Sequence, residues 1–166
     1  MKRGLLLSGL ILVVAITWGG ETFAQNKKEI EVNSIHYWSS TAKVFPIGPG
    51  QVISQGEIMG IRVNDGGVGP FHEASVHIAT VTYRSKEYYG FRGYETWVDK
   101  DGDKVIWELL DTPPGAPSSP AKLISGTGKY TGWQGTMHYT LQFPKPFPEG
   151  TRRGICREQV KFIIPQ

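Results

Sequence analysis

The sequence predicts an all-β domain: a single antiparallel barrel of about eight strands. Three observations point there. Glycine and proline punctuate the chain densely, 21 and 11 of them in 166 residues, which leaves little room for long helices. Apolar and polar residues alternate in short runs, the mark of half-buried strands, and no window sustains a 3.6-residue apolar period. The connections are too short for a βαβ crossover, so successive strands pair antiparallel.

The strands can be read off in order. Ile30 and Val32 alternate with Glu29, Glu31 and Asn33, after a polar and frayed start from Gln25 to Glu29. Ile58 to Val63 forms a short strand closed by Asn64-Asp65-Gly66-Gly67. Ser75 to Arg84 is rich in β-formers. Tyr94–Val98 and Lys104–Leu109 flank the polar turn Asp99-Lys100-Asp101-Gly102-Asp103. In Thr136 to Phe143 the alternation puts Met137, Tyr139, Leu141 and Phe143 on one face, and Val160 to Ile164 closes the chain. Pro46–Gly50 and Pro113–Pro120 read as surface loops, and Pro144–Pro148 as a stiff extended connector. Closing the sheet removes its edges, which favours a barrel; a β-sandwich is the competing architecture.

The first residues have a different character. Lys2 and Arg3 precede an apolar run from Leu5 to Ile16, and Thr22-Phe23-Ala24 offers small residues at the −3 and −1 positions of a cut after Ala24. This is the layout of a secretory signal peptide over residues 1–24, too short to span a bilayer. The reading is export to the periplasm or beyond the cell, with residues 25–166 as one β domain and no membrane span after processing. Cleavage removes Lys2, Arg3 and Glu21 and moves the formal charge only from +3 to +2. A balance so near neutrality, without a long basic run, gives nucleic-acid binding no support.

The segment Gly126-Thr127-Gly128-Lys129-Tyr130-Thr131-Gly132-Trp133-Gln134-Gly135 resembles a glycine signature of the allene oxide cyclase-like barrels, a group that includes the plant dirigent proteins and bacterial secreted proteins. The matching positions are Gly126, Gly128, Tyr130, Gly132 and Gly135. Gly93 to Lys104 is similar to a hairpin of the bacterial secreted branch. The resemblance implies the barrel fold and structural roles for Gly126, Gly128, Gly132 and Gly135, where glycine permits sharp bends and close strand contacts. The cyclase's catalytic residues find no counterparts in this chain, so none is assigned.

Candidate sites are sparse. Asp99, Asp101 and Asp103 alternate like cation ligands, but their spacing fails the EF-hand pattern, and Asp-Gly is the usual pair for a tight hairpin turn. His36, His72, His77 and His138 show no local zinc spacing, and each reads as a solvated or hydrogen-bonded strand residue. His72 and Glu73 are a weak candidate for a catalytic base pair. The single cysteine, Cys156, reads as a buried apolar thiol. Trp97, Trp107, Tyr130, Trp133 and Tyr139 are candidates to line an apolar pocket. The sequence carries no complete metal motif, cofactor motif, nucleophile elbow or phosphate loop.

The function expected is therefore that of an exported barrel binding a small apolar or aromatic ligand. Two alternatives stay open: a cyclase-like or stereo-directing catalyst working by confinement, and an envelope structural or protein-interaction module. Sequence alone does not decide between binding and catalysis, and it leaves the oligomeric state open.

Overall fold

The computed structural model describes residues 27–112, 116–142 and 152–166. The expected leader and the Pro144–Pro148 connector lie outside these residues.

Eight strands form one closed antiparallel barrel in simple sequential order. They are β1 (Lys27–Gly48), β2 (Gln51–Asn64), β3 (Ala74–Arg84), β4 (Tyr89–Val98), β5 (Lys104–Leu109), β6 (Ser119–Gly126), β7 (Gln134–Gln142) and β8 (Arg152–Pro165). Pairing of β8 with β1, from Lys27 opposite Pro165 to Ser40 opposite Arg152, closes the ring. That seam decides for a barrel over a sandwich.

Several stretches differ from the sequence reading. Lys27 to Glu29, read as frayed, already belong to β1 and pair with Ile163 to Pro165 of β8, and Pro120, read as loop, lies in β6. Pro46 lies within β1, which pairs with β2 as far as Gly48 opposite Gln51, so the expected 46–50 loop shrinks to a tight hairpin. Between Gly126 and Gly135 the chain does not continue as a bent strand. It ends β6 at Gly126, makes a 3₁₀ turn over Gly128–Tyr130 and resumes as β7 at Gln134. Gly128 has φ +52, and a Cβ there would overlap the Asp103 carboxylate, so only glycine fits.

One end of the barrel is corked. Phe71, in the β2–β3 loop, inserts between strands and stacks on Tyr130 with ring centroids 4.1 Å apart. Trp97, Trp107 and Phe162, all fully buried, complete the plug. Each such ring contributes about 1.5–3 kcal/mol by leaving water. Phe71 and Glu73 both sit at φ 58, a left-handed conformation that costs a non-glycine residue about 1–3 kcal/mol. Burial of the Phe71 ring offsets that strain.

At the middle of the barrel, neighbouring glycines make room for large side chains. Gly154 lies opposite Trp38 in the β8–β1 register, and a Cβ on it would collide with the Trp38 indole. A Cβ on Gly60 would fall 2.6 Å from Nε2 of His36. Gly154→Ala should therefore lower stability by about 1–3 kcal/mol through overpacking. Urea unfolding checks this, and an unchanged midpoint would show that the indole has somewhere else to go.

Candidate functional site

The inward parity of four strands brings charged side chains where apolar ones would be expected. His36 comes from β1, Arg62 from β2, Glu95 from β4 and Glu158 from β8, with Ser34 and Asn64 beside them. All six are buried. The register explains the gathering: His36 pairs with Arg62 across β1–β2, and Ser34 with Glu158 across β1–β8.

Arg62 is the hub. Its Nε donates to Glu158 Oε2 at 3.2 Å, its Nη2 to Ser34 Oγ at 2.5 Å, and its Nη1 to the Phe71 carbonyl at 3.1 Å. Its guanidinium also lies 3.8 Å from the centre of the Trp97 ring, a cation–π contact. Ser34 Oγ donates to Glu158 Oε2 at 2.8 Å. Trp97 Nε1 donates to Glu95 Oε1 at 2.6 Å. Nδ1 of His36 faces both acids, 3.9 Å from Glu95 Oε1 and 3.7 Å from Glu158 Oε1.

Burial governs the protonation of this cluster. It drives the Glu95 carboxyl well above the usual carboxylate range, with the nearby Glu158 charge adding to the shift; the Trp97 hydrogen bond and Arg62 only partly oppose it. His36 is lowered to about 4, first by burial and then by Arg62, which keeps the imidazole neutral. Such inverted values accompany sites that handle protons or polar ligands more often than plain cores. Among the described residues, His36 Nε2, Glu158 Oε1, Asn64 Oδ1 and Trp107 Nε1 are buried without a hydrogen-bond partner. Leaving each unmet costs about 1–3 kcal/mol, so each calls for an explanation.

The candidates named from sequence are dispersed over the barrel. Trp97, Trp107 and Tyr130 are buried around the cork, with Trp133 half-buried and edge-on to Tyr130 and Phe162. Tyr139 is buried on β7, directly opposite Glu158. His72 and Glu73 do not reach the cluster. Nδ1 of His72 accepts the Asn64 backbone N–H at 3.2 Å, while the Glu73 side chain is 78 % exposed and stands 3.9 Å from the ring. Cys156 is buried, and burial pushes its thiol up, so it is no ready nucleophile.

The Asp99–Asp103 turn is already satisfied from within. Asp99 Oδ1 accepts the amides of Asp101 and Asp103 at 2.9 and 3.0 Å, and its Oδ2 accepts the Tyr130 hydroxyl at 2.8 Å. Lys129 Nζ lies 2.6 Å from both Asp99 and Asp101. Burial alone would raise the Asp99 pKa; the bonds from Lys129, Tyr130 and the two amides outweigh it and hold the carboxyl at about 2. Unfolded, the same group titrates near about 3.9. The stabilisation it gives is thus complete above about pH 4 and is lost as the pH falls toward about 2. Asp99→Asn should flatten that part of the stability–pH curve. Melts at pH 5, 3 and 2 check this, and parallel curves for the two proteins would refute it.

No family model matches the sequence, and no curated protein matches it. Solved structures do. The pterocarpan synthase dirigent protein GePTS1 superposes with a TM-score of 0.52 at 11% identity, over 82% of this chain and 85% of its own. The chain has the dirigent barrel fold. A second pterocarpan synthase dirigent protein, PsPTS1, agrees, with a TM-score of 0.53 at 11% identity over 87% of this chain and 99% of its own. In this barrel the signature glycines surround the β6–β7 turn: Gly126 ends β6, Gly128 opens the 3₁₀ turn, Gly132 takes φ +78 in the following loop, and Gly135 sits within β7.

The sequence carried one overlooked signal for the central cluster. Along β8 the inward row reads Cys156, Glu158, Val160, Phe162, and Glu158 interrupts it. Along β4 it reads Gly93, Glu95, Trp97. A carboxylate in an otherwise apolar inward row marks a buried charge.

Proposed function

We propose that this dirigent barrel is an exported binding protein for a small aromatic or apolar molecule that carries a hydroxyl or carbonyl group. One observation carries the reading: unmet polar atoms, His36 Nε2 and Trp107 Nε1 among them, lie within an aromatic-lined barrel interior. Ligand sites combine such apolar walls with a few placed polar groups. The fold shared with pterocarpan synthase dirigent proteins supports a site within the barrel. Phe71 stops one end, so the route proposed for the molecule is from the other. Among the described residues no helix is long and apolar enough to cross a membrane.

Two measurements test this. Titration of the purified protein with a panel of phenols and apolar aromatics should quench or shift tryptophan fluorescence, since Trp97 and Trp107 share the interior. Silence across the whole panel would defeat the binding reading. Export is tested separately by sequencing the N-terminus of protein recovered outside the cytoplasm: a start at Gln25 is expected, and an intact Met1 would defeat it.

A further inference from the structure

We propose that His36, Glu95 and Glu158 form a site for one divalent transition-metal ion in the barrel interior, of the Zn²⁺ or Mn²⁺ class. One ligand atom from each of the three side chains lies within 4.8 Å of the others. The gaps from His36 Nδ1, 3.9 Å to Glu95 Oε1 and 3.7 Å to Glu158 Oε1, are too long for hydrogen bonds. An ion centred among the three atoms would stand roughly 2.2–2.5 Å from each, close to metal–nitrogen and metal–oxygen bond lengths.

A second observation points to an occupant. Glu158 is 1 % exposed, yet its Oε1, the oxygen nearest His36, accepts no hydrogen bond. Its other oxygen is fully engaged: Ser34 and Arg62 hold Oε2 and thereby aim Oε1 at the gap. Trp97 holds Glu95 differently, donating to Oε1 itself, the oxygen that faces His36. Outer hydrogen bonds of this kind orient the ligands of protein metal sites. Burial holds a proton on Glu95 in the ion-free barrel, and an ion bound there would displace it.

The donor set selects the class. One imidazole nitrogen with two carboxylate oxygens suits borderline divalent ions. Ca²⁺ wants six to eight oxygens, and soft ions want sulfur. Three protein ligands leave at least one coordination position for water or another small molecule. The three residues come from β1, β4 and β8, which is why no local ligand spacing exists in the sequence.

The ion needs no organic ligand, so it is measured without one. The full chain is stripped with a chelator, equilibrated with Zn²⁺ or Mn²⁺ alone, passed through gel filtration and assayed for metal. One ion per chain and a raised melting temperature are expected. Glu95→Gln and His36→Gln should each weaken binding by roughly tenfold or more, while Asp101→Asn, in the surface turn, should bind like the wild type. A wild type that retains no ion overturns the site, as does equal retention by the Glu95→Gln and His36→Gln proteins. If those variants fail to fold, the Mn²⁺ electron spin resonance of the wild type decides. Nitrogen coupling from one imidazole is expected, and an all-oxygen environment overturns the assignment.

Discussion

Replacing Glu158 by glutamine is expected to destabilise the barrel by about 3–5 kcal/mol, the usual result of stranding a buried charge. Arg62 is 0 % exposed, and Glu158 is its nearest acidic partner at 3.2 Å. Without that carboxylate the guanidinium keeps only the Phe71 carbonyl, the Ser34 hydroxyl and the Trp97 ring for company. Burial already lowers the pKa of Arg62, against the pull of Glu158 and Glu95. Removing both charges, with Arg62→Met and Glu158→Leu together, should cost less than the single change, because no ion is then left unpaired. Urea denaturation of the wild type, Glu158→Gln and the double variant gives the answer. A cost below about 1 kcal/mol for Glu158→Gln would mean that Glu95 takes over as the counter-ion.

Truncation of Phe71 to alanine is the second large effect, expected at about 3–5 kcal/mol. The ring touches Trp97, Tyr130 and Phe162, and it is 2 % exposed. Alanine at position 71 would keep the strained φ while losing the burial that offsets it. The loop has other anchors: Asn64 Nδ2 donates to the carbonyls of Val68 and Pro70, and Arg62 donates to that of Phe71. Phe71→Ala should therefore keep the β-sheet signal in circular dichroism while its melting temperature falls and its near-ultraviolet tryptophan bands change. A melting temperature equal to that of the wild type would show that the cork adds nothing to the core.

The barrel was legible in the sequence because it is written in parity. Met137 and Tyr139 alternate and are both buried, as that pattern requires; Leu141, next in the same row, is exposed. The turns were legible where Asp-Gly and Asn-Asp-Gly-Gly close hairpins. The central cluster was not. His36, Arg62, Glu95 and Glu158 are each separated by dozens of residues, and only the closed ring of strands brings them together. Charged residues are read from sequence as facing water, since burying one without a partner is so costly. Here each partner arrives from another strand. The 3₁₀ turn was missed for a related reason: within it the Lys129 amide donates to the Asp103 carboxylate of another hairpin, which local propensity does not reveal.

The β8–β1 seam has a consequence for how the molecule is made. It weds the first strand of the barrel to the last, Lys27 to Pro165, so Glu158 cannot meet Ser34 until the chain has grown by another 124 residues. Contacts so distant along the chain slow folding. Until the final strand arrives, the nascent sheet waits with two open borders and its oily side uncovered, the interval in which aggregation competes with folding.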